Sequence, residues 1–122
     1  MIKRSVQQME GTPITGEGIS GVTMKLLVGR DDQAPTFAMR HFAVEPGGYT
    51  PMHHHDWEHE VLILAGSGEL ECDGEVATIS AGDGLYIPSN ETHQFRNVGE
   101  TPLEFLCIVP VASDCGLVVP GS

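Results

Sequence analysis

The sequence predicts an all-β fold, and three observations support this prediction. Short runs of strand-forming residues recur along the chain, and Gly- and Pro-containing turn signals separate them. No stretch shows convincing helical periodicity. Short strands that alternate with such turns are typical of a β-sandwich or a β-barrel.

The first half of the chain contains three strand candidates, residues 22–28, 36–44 and 60–64. The sequence Glu-Pro-Gly-Gly at residues 45–48 predicts a tight turn after the second candidate. Residues 1–18 are less patterned, and we expect them either to be loose or to contribute to a dimer.

The second half begins with the strongest hairpin signal of the sequence. Asp73-Gly74 separates two strand candidates, residues 70–72 and 75–79, and Asp-Gly is a preferred two-residue hairpin loop. The remaining strand candidates are residues 85–87, 93–97 and 103–109, and the last two are predicted to form a hairpin across residues 98–100. Residues 113–122 are again less patterned.

Length and charge restrict the function classes. A chain of 122 residues buries roughly two thirds of its unfolded surface on folding, which is enough for one domain, residues 1–122. The net charge is −11, from 17 acidic and 6 basic residues. This balance argues against nucleic acid and anionic membranes as partners, because both attract Lys and Arg. No apolar run approaches the ~20 residues of a membrane span.

The cysteines and the N-terminus favour a cytoplasmic location. Cys72, Cys107 and Cys115 are odd in number and have no CxxC spacing, so we interpret them as free thiols in a reducing compartment. Lys3 and Arg4 are followed by polar residues rather than by the apolar region of a signal peptide.

Histidines provide the main functional signal. Four of the six lie between residues 53 and 59, and His93 lies further along the chain. Imidazole is the commonest metal-binding side chain. Residues two apart in a strand share a face, so His53 and His55 would point the same way. If the alternation resumes in register, His59 returns to that face and Glu60 faces away. A ligand from a second strand would complete a metal site.

Glycines flank the histidine segment on both sides at defined distances. Five residues separate Gly47 from the triplet His53-His54-His55, and Glu60 follows the triplet after four more residues. Gly66 or Gly68 closes the segment loosely.

A second segment contains Gly82, Pro88, His93 and Asn97. The two segments, residues 47 to 97, resemble the two signature motifs of the cupin superfamily. Asn90 stands where the second motif has a glycine, but Asn also tolerates a left-handed backbone. The resemblance implies a double-stranded β-helix, or jelly-roll, cupin barrel.

The string from His53 to Glu60 resembles a narrower group, the small single-domain cupins that bind manganese through four histidines. By this resemblance the ligands are His53, His55, His59 and His93. The competing set replaces His59 with Glu60, since neighbours on a strand do not both point inward. The resemblance implies Mn²⁺ as the metal, with Fe²⁺, Zn²⁺, Ni²⁺ or Cu²⁺ as alternatives.

Strand alternation suggests which residues surround the site. Phe95, Phe105 and Cys107 are candidates to line an apolar pocket over the metal, with ordinary core packing as the alternative. Glu58 and Glu60 are candidates to accept hydrogen bonds from ligand imidazoles.

Two further residues, Arg40 and His41, lie on the strand candidate that leads to the site. One of them could reach an anionic substrate, and the alternative is a surface salt bridge.

A site of four neutral imidazoles leaves a divalent ion its full charge, and in an octahedral geometry it leaves two positions open. We expect a metal-dependent oxidoreductase that uses O₂ or peroxide to oxidise a small organic substrate. A non-redox isomerase or lyase and a non-catalytic small-ligand-binding cupin are the alternatives. We also expect a homodimer, because small cupins pair their sheets, two-fold dimers are the commonest oligomers, and the N-terminal segment has no obvious partner within the chain.

Overall fold

The computed structural model describes residues 1–113, whose strands join in one antiparallel sheet. The sheet curls into a half-barrel, with the strand order β6-β5-β8-β3-β9-β4-β7 and with β2 and β1 added beside β3. The strands are β1 (Thr12–Ile14), β2 (Ser20–Val28), β3 (Phe37–Tyr49), β4 (His59–Ala65), β5 (Ser67–Cys72), β6 (Glu75–Ser80), β7 (Gly84–Ile87), β8 (His93–Arg96) and β9 (Leu103–Pro110). The all-β prediction is confirmed.

The helices among residues 1–113 are three single turns of 3-10 helix, Val6–Gln8, Arg30–Asp32 and Val111–Ser113. None of these described helices has the length and apolar character that a membrane crossing requires.

Alternating side chains place the core inside the curled sheet. Along β9 every second residue from Leu103 is buried, as the period of two requires. Phe105 stacks on Phe95 at 4.4 Å and on Phe42 at 5.4 Å between ring centroids, and all three rings are buried. Burying each ring contributes about 1.5–3 kcal/mol relative to leaving it exposed, so this stack anchors the part of the barrel on which the site rests.

Two turn predictions from the sequence are confirmed. β5 and β6 form a hairpin in which Cys72 pairs with Glu75, and Asp73 and Gly74 both have positive φ, 48° and 85°. These angles fit the loop that the Asp-Gly signal predicts. Asn90 adopts φ 67°, which is the left-handed conformation expected for a residue that replaces glycine.

The predicted turn at residues 45–48 is wrong, because β3 continues through it to Tyr49. β3 pairs with β9 up to Val44 and with β8 at Tyr49, so the strand changes neighbour in this stretch. Gly47 has φ 81°, and a Cβ on Gly48 would lie 2.5 Å from the carbonyl oxygen of Ser20. The glycines therefore permit a bend and a close backbone approach at a corner of the barrel.

The predicted hairpin between residues 93–97 and 103–109 is also wrong. β8 pairs with β5 and β3, whereas β9 pairs with β3 and β4. Asn97 fixes the connection between them, since its buried Nδ2 donates to the carbonyl oxygens of Val44 and Thr101, both at 2.8 Å. The Asn97 side chain thus holds a connection in which β8 and β9 do not pair with each other, so that no tight hairpin turn forms.

The N-terminal segment has partners within the chain. β1 pairs with β2 from Thr12 to Ile14. Arg4 forms a two-point ion pair with Asp32, with nitrogen–oxygen distances of 2.7 and 3.0 Å. The premise that the N-terminal segment has no partner within the chain is therefore wrong, and a contribution of residues 1–18 to a dimer stays a prediction. Residues 114–122, which include Cys115 and most of the less patterned C-terminal stretch, lie outside the described residues.

Candidate metal centre

The four histidines of the predicted ligand set come from three parts of the fold. His59 begins β4 and His93 begins β8, and both side chains are buried inside the barrel. His53 lies outside the regular strands, but its backbone pairs with that of His93 through two hydrogen bonds of 3.2 and 2.9 Å. His55 lies in the following loop, where its carbonyl oxygen accepts a hydrogen bond from the Asn90 amide at 2.7 Å. The left-handed turn at Asn90 thus supports the ligand loop.

These imidazoles form a cluster. One potential ligand atom from each of His53, His55 and His93 lies within 4.8 Å of the other two. That set does not include His59, but the Nε2 atom of His59 lies 2.7 Å from Nε2 of His55, and its ring centroid lies 5.1 Å from that of His93. The structure therefore brings all four residues together, with His59 adjoining the group through His55.

Backbone carbonyls orient three of the rings. The Nδ1 atoms of His53, His55 and His93 each lie within hydrogen-bond distance of a carbonyl oxygen two residues away. The acceptors are the carbonyl oxygens of Pro51 at 2.9 Å, Trp57 at 3.2 Å and Glu91 at 2.9 Å. A carbonyl oxygen only accepts, so each Nδ1 carries the hydrogen and each neutral ring presents an unprotonated Nε2.

The Nε2 atoms of His53 and His93 are buried and have no hydrogen-bond partner among residues 1–113. A buried polar atom without a partner costs about 1–3 kcal/mol. A divalent cation bound by lone pairs would satisfy both atoms, so the donor set fits a metal ion.

His59 has a different environment. Its Nδ1 atom lies 3.0 Å from Sγ of Cys107, at the inner side of β9. A thiol can donate or accept a hydrogen bond, unlike a carbonyl oxygen. The tautomer of His59 is therefore not fixed by the backbone.

Burial favours the neutral form of three imidazoles, those of His53, His55 and His59. Loss of solvent is the largest cause that lowers the pKa of His53, and the hydrogen bond to the carbonyl oxygen of Pro51 opposes it. Burial, followed by repulsion from neighbouring imidazoles, lowers the pKa of His55 to about 4 and that of His59 to about 2. Neutral rings are the form that binds metals, so burial favours at these three residues the charge state that ligation requires.

Arg40 and Cys107 lie side by side in the interior, as register partners on β3 and β9. Burial raises the pKa of the Cys107 thiol to about 11, although the charge of Arg40 and its hydrogen bond to the sulfur oppose this effect. Arg40 is only 1% exposed, so the surface salt bridge considered from the sequence is wrong for it. His41 instead contacts the Glu104 carboxylate, with a nitrogen–oxygen distance of 2.9 Å.

The carboxylates near the cluster face away from it. Glu58 and Glu60 are both exposed, and the Nδ1 atoms of the histidines contact carbonyl oxygens or sulfur. The hydrogen bonds predicted from the imidazoles to Glu58 and Glu60 are therefore not observed. Glu58 instead contacts the Tyr86 hydroxyl, and its negative charge is the main cause that raises the pKa of that tyrosine.

The predicted pocket residues behave differently from one another. Phe95 and Phe105 are stacked on each other in the core, as the alternative interpretation expects. Cys107 contacts the cluster directly through His59.

Sequence reasoning missed two features of the site. The carbonyl oxygens that orient the rings have no residue-type signal, because every residue has one. Trp57 stacks on His55 at 4.2 Å with an interplanar angle of 5°, and its buried Nε1 has no hydrogen-bond partner in the described part of the chain. The only available signal was the position of Trp57 within the histidine string.

Comparison with known proteins agrees with this fold. The polyketide cyclase RemF from Streptomyces resistomycificus has a similar structure, with a TM-score of 0.83 and 31% sequence identity, over 91% of this chain and 80% of RemF. The jelly-roll prediction is confirmed by this likeness.

Two curated relatives each match part of the chain. The alginate biosynthesis protein AlgA from Pseudomonas fluorescens is 35% identical over 77 residues, which are 62% of this chain and 16% of AlgA. The oxalate-binding protein from Thermotoga maritima is 38% identical over 65 residues, which are 52% of this chain and 54% of that protein. The matched stretches thus span about half of the oxalate-binding protein and a small part of AlgA.

The match to a family model is broader than the histidine segment. The model described as "Cupin domain" matches residues 40–109, from β3 to β9, and the histidine cluster lies inside this range. The chain therefore belongs to the cupin domain family.

Proposed function

We propose that this protein binds one divalent metal ion through His53, His55, His59 and His93. The observation that carries the proposal is the pair of buried Nε2 atoms, on His53 and His93, that have no hydrogen-bond partner among residues 1–113. Because the Nδ1 atoms of both rings donate to carbonyl oxygens, their Nε2 lone pairs are available to a metal. Glu60 is exposed on β4 and His59 is buried, which supports His59 over Glu60 as a ligand.

An anomalous-scattering map of crystals soaked with the metal tests the ligand set. We expect one peak about 2.0–2.3 Å from four imidazole nitrogens, with the shorter distances for zinc. A peak beside Glu60, with His59 turned away, would contradict this choice.

We propose manganese as the metal, with iron, zinc, nickel and copper as the other ions that imidazole sites accept. The affinity of an imidazole site for divalent metal ions rises along the first transition row towards copper. The ion found in a purified sample therefore reflects which metals were supplied as well as which metal the site prefers. Expression with each metal in excess, followed by elemental analysis and an activity screen of each form, identifies the ion that supports function.

The first candidate activity is oxidation of a small organic substrate by O₂ or peroxide. A bound manganese or iron ion would supply the redox chemistry, and four protein ligands would leave two positions for substrate and oxidant. The chain contributes the neutral donor set, Cys107 contacts that set through His59, and Phe95 and Phe105 are packed in the buried core. Substrate-dependent oxygen uptake tests this activity.

A second candidate is a non-redox reaction such as isomerisation or lyase chemistry. Two observations favour it: the neutral ligands preserve the full +2 charge of a Lewis acid, and RemF, a polyketide cyclase, is similar over 91% of this chain. Turnover under strict anaerobiosis with redox-inert zinc would support this candidate over the first.

The similarity to an oxalate-binding protein supports a third candidate, a cupin that binds a small ligand without turnover. Tight binding of small carboxylates to the metal-loaded protein, with no product formed, would support it.

We also propose that the protein is a homodimer in the cytoplasm. Leu62, Leu64 and Tyr86 expose 44%, 44% and 60% of their surface on the outer side of β4 and β7, and Leu62 and Tyr86 line a groove of about 390 Å³. An exposed apolar face of this kind suits a self-complementary two-fold contact. Light scattering should give twice the chain mass of 13.1 kDa, and Leu62→Glu should shift the measured mass to that of one chain.

The cysteines support the cytoplasmic location. Cys72 and Cys107 are free thiols, as a reducing compartment requires.

A further inference from the structure

Three of the four imidazoles have a fixed tautomer, and the fourth does not. His53, His55 and His93 donate from Nδ1 to carbonyl oxygens, so their Nε2 atoms carry lone pairs whether or not a metal is bound. His59 contacts the Cys107 sulfur instead. The partner of His59 is therefore the only one of the four that can reverse its role in the hydrogen bond.

The spacing between His55 and His59 fixes the tautomer of His59 in this arrangement. Their Nε2 atoms lie 2.7 Å apart, which is a hydrogen-bond distance. Nε2 of His55 is an acceptor, because the hydrogen of that neutral ring is on Nδ1. The hydrogen between the two rings therefore belongs to Nε2 of His59, and its Nδ1 accepts the S–H hydrogen of Cys107.

Ligation by His59 requires the opposite tautomer. Its Nε2 must offer a lone pair, so the hydrogen on Nε2 must leave. A hydrogen is taken up at Nδ1 at the same time, and the ring therefore stays neutral. Nδ1 then becomes a donor, and the S–H hydrogen must turn away so that a sulfur lone pair can accept. Sulfur has a second lone pair for its contact with Arg40, which lies beside it as register partner and hydrogen-bonds to it.

We propose that Cys107 is a positioning residue whose thiol lets His59 exchange tautomers, so that His59 is hydrogen-bonded to His55 without metal and becomes the fourth ligand with metal. The proposal rests on the proposed metal site. A carbonyl or a carboxylate at this position would hold the Nδ1–H tautomer permanently. An aliphatic side chain would provide no partner at all. The thiol is buried among apolar side chains, including Phe105, where it is a small partner that serves both states.

Nuclear magnetic resonance of ¹⁵N-labelled histidines tests the exchange, with zinc as a diamagnetic probe. In the metal-free protein we expect His59 to carry its hydrogen on Nε2 and the other three rings to carry theirs on Nδ1. Saturation with zinc should move the hydrogen of His59 alone to Nδ1. A His59 that keeps Nε2–H while zinc is bound by the other rings would overturn the proposal but preserve a three-histidine site. Failure of zinc to bind at all would overturn the metal site itself.

Two variants of Cys107 separate positioning from packing. Cys107→Val has no hydrogen-bonding group and should weaken zinc binding about 10–100-fold, as loss of a ligand's hydrogen-bond partner does. Cys107→Ser can both donate and accept, so it should bind zinc more tightly than the valine variant and restore the tautomer change. Ile63→Val alters the same buried core at a side chain outside the histidine cluster, and it should leave both readouts unchanged. Equal zinc affinity in the valine variant and the wild type would refute the role of the thiol.

Discussion

Nε2 of His55 lies 2.7 Å from Nε2 of His59, and the two rings are held on opposite sides by unlike partners. His55 is tied to the carbonyl oxygen of Trp57 in the loop, and His59 to the Cys107 sulfur inside the barrel. This contact thus connects His55, which lies in the loop, with His59, which is buried at the start of β4.

Replacing His55 by Ala should give a folded protein that contains little metal. His55 is half-buried and lies in a loop. The aromatic stack that supports the barrel consists of Phe42, Phe95 and Phe105 and does not include His55. Elemental analysis after metal loading, with circular dichroism on the same sample, measures both properties.

The matched control for this variant is His54→Ala, which alters the same histidine triplet at an exposed side chain outside the cluster. It should retain the metal content of the wild type. If His55→Ala were wholly unfolded at neutral pH, the site would be mainly structural and the proposed catalysis would lose its support.

The choice between His59 and Glu60 gives a second prediction. The two residues are neighbours at the start of β4, but His59 is 1% exposed and Glu60 faces outward. His59→Ala should reduce the metal affinity strongly, and Glu60→Gln should leave it close to the wild-type value. Isothermal titration of each metal-free variant with manganese provides the comparison, and the reverse order of affinities would show that Glu60 is the ligand.

The sequence was sufficient for the features that depend on side-chain type and spacing. Alternation along β9 gave the inward face of Phe105 and Cys107, and Asp73-Gly74 gave a hairpin loop that the structure contains. The cupin resemblance also gave the fold class, which the structural likeness confirms.

The failures have a common physical cause, which is that local signals do not specify distant pairing. Pro46 and Gly47 favour a turn locally, yet β3 bends there and pairs with a new neighbour, β8. Residues 98–100 are a plausible hairpin loop, yet the hydrogen bonds of Asn97 to Val44 and Thr101 direct the two flanking strands to different partners. The single-domain assignment of residues 1–122 and the ligand set both stay predictions.

The pH dependence of the metal-free protein follows from the lowered pKa values. An unfolded histidine has a pKa of about 6.5, whereas His55 has a folded value of about 4 because burial disfavours its charged form. Between these values the unfolded chain binds more protons, so stability rises with pH. The contribution is fully present above pH 6.5 and is lost as the pH falls from 6.5 towards 4. Urea unfolding at several pH values across this window should show the decline.

The same measurement on metal-free His55→Ala isolates the contribution of His55. Its decline between pH 6.5 and pH 4 should be smaller than that of the wild type, since one buried imidazole no longer has to stay neutral. His54→Ala serves as the control and should keep the wild-type slope. Identical slopes for all three proteins would mean that His55 titrates as it does in the unfolded chain.

Asn97→Ala should destabilise the fold by about 1–3 kcal/mol, because it leaves buried backbone groups without partners. The side chain is 2% exposed and makes three hydrogen bonds: Nδ2 donates to the carbonyl oxygens of Val44 and Thr101, and Oδ1 accepts from the Gly99 amide. The free energy of unfolding in urea measures the loss. Val98→Ala changes an adjacent residue that is 63% exposed, and it should stay within about 0.5 kcal/mol of the wild type. A change of that small size in Asn97→Ala would mean that water or another group replaces the amide, and that Asn97 does not direct β8 and β9 to their separate partners.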